Sequence, residues 1–368
     1  MSWLVNPAAR SWDAPPLTVS PRSFHRSLPG YAPTPLVELS SLAAELGVGR
    51  VVVKDESSRL GLPAFKVLGA SFAIARALSL RLGAPGVLSL EELRGRLVGS
   101  RLTLVAATDG NHGRAVARVA SLLGLRSVIS VPPGVSAAAR QAITGEGAVL
   151  NELDMPYDDV VRHVAQTAGE QTAGEQKLLV QDTSWAGYED IPRWIVDGYD
   201  TMLAEVDDQL ADSGSAPPTL VVVPAGVGSF AQAVITHYRR DGHRPAVLAV
   251  EPEVAASVTA ALDAGRVVPV ETGETIMTGL NCGTVSEVAW PALRQGLDAA
   301  VTVSDAESLD AVHALADLGV DSGPCGAATL AAARRVLASP EHRAELALPA
   351  DAVVVLLSTE GRAANPKL

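Results

Sequence analysis

The sequence predicts an α/β protein built on mainly parallel sheet. Short apolar runs rich in Val recur along the chain. Helical stretches rich in Ala and Leu separate most of them, and Gly, Asn or Ser follow several runs where a strand would turn into a helix. Residues 1–35, rich in Pro and Ser with little periodicity, read either as an arm laid over the body or as a disordered leader. A helix-like run over 37–46 precedes the β-branched strand Val51-Val52-Val53, and a helical run follows over 67–80. Further strands are expected at 102–106, 127–131, 178–180, 220–223, 246–250 and 353–357. Residues 167–176 duplicate TAGEQ, too short and polar for a solenoid, and read as a surface helix end or loop with no catalytic role. The polar stretch 207–218 reads as a linker and hinge.

A chain of 368 residues with 48% hydrophobic content can bury a full core, as two domains or one large α/β unit. Its formal net charge of -12 argues against nucleic acid or an anionic membrane as partner, since both need clustered Lys and Arg. Cys282 and Cys325 are too few for a disulfide framework and have no metal-site spacing, so no metal is expected. The start of the chain lacks a basic segment followed by an apolar one, and no stretch has the length of a membrane span, so a reduced, cytoplasmic compartment is expected. Of 29 basic residues only four are Lys: Lys54, Lys66, Lys177 and Lys367. Where Arg serves every ordinary positive charge, a remaining Lys is a candidate for what Arg cannot do, which is shed its proton and form an imine.

Lys66 lies in GLPAFKVLGASF among Leu62, Phe65, Val67 and Leu68, an apolar setting that would lower its pKa and make it nucleophilic. The plain alternative is a lysine snorkelling from a helix's first turn. Lys54 stands beside Asp55 and Glu56, Lys177 follows the polar repeat and Lys367 is terminal, so Lys66 has the best environment for imine chemistry. In ATDGNHGRAVARVA (107–120), Asp109, Gly110 and Asn111 form a turn at a helix start, which suits an anionic group or is an ordinary capped turn. In PAGVGSFAQAV (224–234), Gly226, Val227, Gly228 and Ser229 lie between strand and helix and read as a phosphate cradle. The same stretch matches GxGxxA through Gly226, Gly228 and Ala231, with Glu251 where a ribose-binding acid is expected, so a nicotinamide-linked oxidoreductase is the sharpest rival. Ser358, in LLSTEG, ends the last strand, where a hydroxyl can meet a ring nitrogen or simply cap a turn. Asp182 precedes Trp185, Tyr188 and Trp194, an aromatic cluster read as a docked helix or as a pocket wall carrying a carboxylate.

Together these residues resemble the fold-type II pyridoxal-phosphate enzymes, which include threonine dehydratase, serine racemase, cysteine synthase and the tryptophan synthase β chain. APTPL (32–36), the lysine, the Asn-turn, the glycine loop and the final Ser-containing strand fall in that family's order. The diaminopropionate ammonia-lyase family is the closer resemblance, through Asp109 in ATDGNHG, QDTSWAGYEDIPRWIVDGY (181–199), TIMTGLNCG (275–283) and STEG (358–361). Two departures are Pro324-Cys325, which interrupts DSGPCGAATL, and Arg362 after STEG, where an acid is expected.

The resemblance implies two open parallel-rich sheets with helices on both faces. It implies a large domain over 1–80 and 196–368 and a small one over 81–195. Pyridoxal 5'-phosphate is then the cofactor, held by Lys66 as an imine, by Asn111 at its 3-oxygen, by Gly226, Val227, Gly228 and Ser229 at the phosphate, and by Ser358 at the ring nitrogen. A neutral hydroxyl there leaves the ring a weaker electron sink, which suits prompt elimination. Asp109 and Asp182 are expected to recognise a β-ammonium or handle protons, with Asp109 the base opposite Lys66. The implied reaction is α,β-elimination of 2,3-diaminopropionate to pyruvate and ammonia, by a cytoplasmic homodimer with a small amino acid as its partner. The alternatives are a dehydratase-like lyase acting on serine, threonine or another amino acid, the oxidoreductase, and a non-catalytic binding protein, which would be expected to lose Lys66.

Overall fold

The structure is a computed structural model that describes residues 3–108, 110–169, 176–240 and 242–365. Asp109, most of the TAGEQ duplication and Lys367 lie outside the described residues. The strands are β1 (Trp3–Val5), β2 (Leu36–Glu38), β3 (Arg50–Asp55), β4 (Leu102–Ala107), β5 (Arg126–Val131), β6 (Val149–Glu152), β7 (Gln176–Leu179), β8 (Leu220–Pro224), β9 (Ala246–Pro252), β10 (Ala299–Val303) and β11 (Val353–Ser358). The chain divides into two compact units, one comprising residues 1–18, 33–59 and 199–368, the other residues 19–32 and 60–198.

The first unit holds a seven-stranded sheet in the order β1-β10-β9-β8-β11-β3-β2. Its five inner strands run parallel, and β1 and β2 close the two edges antiparallel. Every residue of β8, β9, β10 and β11 is buried, so both faces of these strands are covered, as continuous Val-rich runs require. On one face Val222, Leu248, Val301 and Leu356 pack with Ala327, Leu330 and Ala331 of the helix Pro324–Leu337. Burying a Val or Leu in this way is worth about 1.5–3 kcal/mol each. Because the inner strands are parallel, the loops after β8 and β11, which are neighbours through Val222 and Leu356, leave the same edge. The glycine loop and Ser358 are thereby brought to one side of this unit.

The N-terminal segment is an arm rather than a loose leader. β1 pairs with β10 from Trp3↔Val301 to Val5↔Ala299. Arg10 reaches Asp298 at 2.7 Å, and Arg244 donates to the carbonyls of Arg10 and Trp12. Two other expectations are corrected. The run 37–46 is strand β2 followed by the helix Ser40–Leu46, not one helix. The stretch expected as a linker from residue 207 is helical to Asp212, the end of the helix Asp190–Asp212, so only the part beyond it is a loop.

The second unit holds a four-stranded parallel sheet in the order β6-β5-β4-β7. β4 is buried throughout, and β7 lies beside it through Val105 and Leu179. Thr108 and Val180, the residues that follow these two strands, therefore leave the sheet side by side.

Candidate active site

In the second unit the structure brings three predicted or motif residues together. Lys66 is the first residue of the helix Lys66–Arg81, and its Nζ lies 2.8 Å from Asp182 Oδ2. Leu62, Phe65, Val67 and Leu68 are buried around its backbone, as expected. The amine itself lies 5.7 Å from the centroid of the Phe65 ring and is paired with a carboxylate. An ammionium left unpaired there would cost far more than one beside a carboxylate, and Asp182 supplies the carboxylate.

Asp182 is set in place from the strand end behind it. The Tyr188 hydroxyl donates to the Leu179 carbonyl at 3.0 Å and accepts from the Gln181 N–H at 2.8 Å. Gln181 Oε1 accepts from the Ala107 N–H, which ties the end of β7 to the end of β4. Trp185 stacks on Tyr188 with ring centroids 4.4 Å apart, while Trp194 instead receives the Arg76 guanidinium over its face. Burial pushes the Asp182 carboxyl up, but the Lys66 ammonium beside it outweighs this and holds the group well below the usual carboxylate range. The pair with Lys66 thus favours the ionised form of Asp182.

Asn111 begins the helix Asn111–Leu123. The turn before it is fixed by Thr108, whose Oγ1 accepts from the N–H groups of Gly110 and Gly113. A side chain at Gly113 would meet Ile129 Cγ2 at 2.7 Å, so this helix start packs closely. His112, the next residue, was not singled out from the sequence. Its Nε2 lies 2.9 Å from the Val180 carbonyl and its Nδ1 3.9 Å from Asp182 Oδ2. Its one sequence signal is its place beside Asn111 in the turn motif.

In the first unit β8 ends at Pro224, and Gly226 and Val227 lead through Gly228 to the helix Ser229–Tyr238. Gly228 has φ +91°, a left-handed conformation natural to glycine, and a Cβ there would lie 2.7 Å from Leu293 Cδ1. A Cβ on Gly226 would lie 3.0 Å from Cys282 Sγ and 3.1 Å from the Gly279 carbonyl oxygen. The Val227 carbonyl accepts from the Ser286 N–H, which anchors the loop. Ser358 is buried at the end of β11, and its hydroxyl donates to Ser322 Oγ at 2.7 Å.

Several sequence readings change here. Glu251 is fully buried and accepts from the N–H groups of Val258 and Thr259 and from the Thr259 hydroxyl. It is committed to a helix start and not offered to a ribose, which removes the acid that the dinucleotide reading needed. Lys54, read as a lysine at an acidic strand end, is fully buried and pairs with Glu205 at 2.8 Å. Burial pushes its amine down, opposed by Glu56 and Glu205. Depth alone would have chosen Lys54; it belongs to a closed network with Arg59, Glu56, Glu205 and Thr34. Pro324, one of the two departures from the family pattern, opens the helix Pro324–Leu337 at a first-turn position where its missing N–H costs nothing. Arg362 pairs with Asp321 at 2.7 Å. Among the described residues no group of three His, Cys, Asp or Glu side chains could hold a metal ion, and no helix is long and apolar enough to cross a membrane.

Residues 28–360 match the family described as pyridoxal-phosphate dependent enzyme. The chain is 37% identical over 360 residues to the diaminopropionate ammonia-lyase of Salmonella typhimurium, covering 92% of this chain and 87% of that protein. It is 39% identical over 354 residues to the Escherichia coli protein of the same name, with the same coverage. A crystal structure of the Escherichia coli enzyme in complex with D-serine superposes with a TM-score of 0.87 at 34% identity, covering 98% of this chain and 94% of that one.

Proposed function

The chain belongs to the diaminopropionate ammonia-lyases of the pyridoxal-phosphate dependent enzyme family, and from this we propose that it eliminates ammonia from 2,3-diaminopropionate, giving pyruvate and ammonia. The residues present fit the cofactor. The glycine loop leaves no room for a Cβ at Gly226 or Gly228 and opens a ten-residue helix, a donor-rich and electropositive end suited to a phosphate. When bound, the cofactor supplies the electron sink that lets an amino acid lose its α-proton and then its β-substituent.

Each residue then has a role. Lys66 carries the cofactor, and its Nζ takes the substrate's α-proton from one face. Asp109 is the base for the other face, so both enantiomers react. Gly226, Val227, Gly228 and Ser229 hold the phosphate, Asn111 the 3-oxygen and Ser358 the ring nitrogen. Asp182 faces the departing amino group. The observation that carries this reading is the 2.8 Å pair between Lys66 and Asp182: a carboxylate held beside the cofactor-bearing amine offers a countercharge to a cationic leaving group. A dehydratase expels hydroxide and has no use for that charge. We extend the proposal to a cytoplasmic homodimer on the family resemblance.

The test is pyruvate release from D- and L-diaminopropionate and from serine by the wild-type protein. Turnover of both diaminopropionate enantiomers above serine is expected; full activity on serine alone would reject the assignment.

A further inference from the structure

One buried polar atom beside Asp182 has no role in the reaction as assigned so far. His112 is 4% exposed, and its Nε2 lies 2.9 Å from the Val180 carbonyl. A carbonyl can only accept, so Nε2 carries a proton and, in the neutral ring, Nδ1 is an acceptor. That Nδ1 is buried and has no hydrogen-bond partner among the described residues. It stands 3.9 Å from Asp182 Oδ2. Two acceptors this close, both buried, call for a donor between them.

The geometry narrows what the donor is. A nitrogen about 2.8 Å from each atom would see them roughly 90° apart, near the angle between two N–H bonds of an ammonium. Lys66 shows the chemical class, because its own Nζ lies 2.8 Å from the same Oδ2. An alkylammonium thus already meets one of the two atoms, and another can meet both when Lys66 is engaged elsewhere.

We infer that Asp182 Oδ2 and His112 Nδ1 together form the subsite for the substrate's β-ammonium, which makes His112 a specificity-determining residue. An ammonium brings three donors and satisfies both atoms, whereas the serine hydroxyl brings one and leaves an acceptor unpaired. A site built for donors discriminates strongly against a substrate that lacks them. The assignment of the substrate rests on the elimination reading above; the subsite itself requires only an alkylammonium.

Two substitutions separate the ring's two contacts. In His112→Asn the side-chain oxygen takes the place of Nδ1, but nothing reaches Val180. In His112→Gln the amide reaches Val180, but no acceptor remains near Asp182. The probe is ethylammonium chloride against equal potassium chloride, on full-length Lys66→Ala protein without cofactor, read by thermal unfolding. A probe at several times its Kd is expected to raise Tm by about 1 °C or more. The rise should persist with His112→Asn and vanish with His112→Gln. In the holoenzyme, His112→Gln should lower kcat/KM for diaminopropionate relative to serine by about 10–100-fold, and His112→Asn should not. Loss with Asn but not Gln, equal behaviour of the two, or no rise in the Lys66→Ala parent overturns the inference. If the rise follows this pattern but the wild type releases no pyruvate from diaminopropionate, the reading of the reaction fails and the ammonium subsite stands.

Discussion

Gly228→Ala perturbs the loop before the helix Ser229–Tyr238 in two separable ways. At φ +91° an alanine pays for a left-handed conformation, about 1–2 kcal/mol. Its Cβ also lies 2.7 Å from Leu293 Cδ1 and 3.4 Å from Ala289 Cβ, and such overpacking costs about 1–3 kcal/mol. The sum, about 2–5 kcal/mol, must appear as lost stability, as lost cofactor affinity, or as both. If the loop holds the phosphate, it escapes the strain by leaving its binding geometry, and part of the cost moves into binding. Even 1.4 kcal/mol moved in this way weakens binding tenfold. Titrating pyridoxal phosphate into cofactor-free protein, followed by absorbance, should show Kd raised at least tenfold. Leu293→Ala removes the nearest clashing atom. The double variant should therefore regain the steric share of the affinity and keep the conformational share, a coupling that independent sites would not show. A folded Gly228→Ala protein with wild-type cofactor affinity would refute the loop's assignment.

Lys66→Arg keeps a positive charge near Asp182 but cannot form an imine. Borohydride should fix the cofactor's mass to the Lys66 peptide of the wild type and to no peptide of the variant; a fixed cofactor in Lys66→Arg would place it on another lysine. Asp109→Asn should slow D-diaminopropionate by about 10²–10⁴-fold while largely sparing the L form, and equal losses would sink the two-base reading. A third prediction concerns stability. His237 lies between Asp200 at 2.9 Å and Asp207 at 2.8 Å. Burial pushes the ring down, but these two carboxylates raise it to about 9. The resulting stabilisation is complete below the unfolded value near 6.5 and is lost as pH rises through about 9. It is worth at most about 3 kcal/mol, and less because Asp207 is partly exposed. Urea unfolding should show stability falling over that window in the wild type and not in His237→Gln.

The inner strands β8, β9 and β11 were legible because they are buried on both faces, so their sequences are almost unbroken Val, Leu and Ala. The edge strands β1, β2 and β6 are only three or four residues long and half-buried or exposed, too short to show alternation. β10 reads AAVTV, and its alanines blend into the helices around it. The polar stretch 207–212 looked like linker because polarity marks a helix's outer face as well as a loop. Lys66 stood out by the scarcity of lysine, and Asp182 by its motif. The scarcity reasoning gave no hint that Lys54 would be buried, since its partners Glu205 and Thr34 are distant in sequence. His112 escaped notice for a similar reason. Its role depends on which ring nitrogen is occupied, and Val180, 68 residues on, decides that.

The most direct test of the account is the ratio of products formed by the wild-type holoenzyme from 2,3-diaminopropionate. Elimination of the β-amino group followed by hydrolysis of the remaining enamine releases both nitrogens, so two ammonia are expected for each pyruvate, with serine a poorer substrate giving one. Pyruvate from serine with none from diaminopropionate would contradict the account.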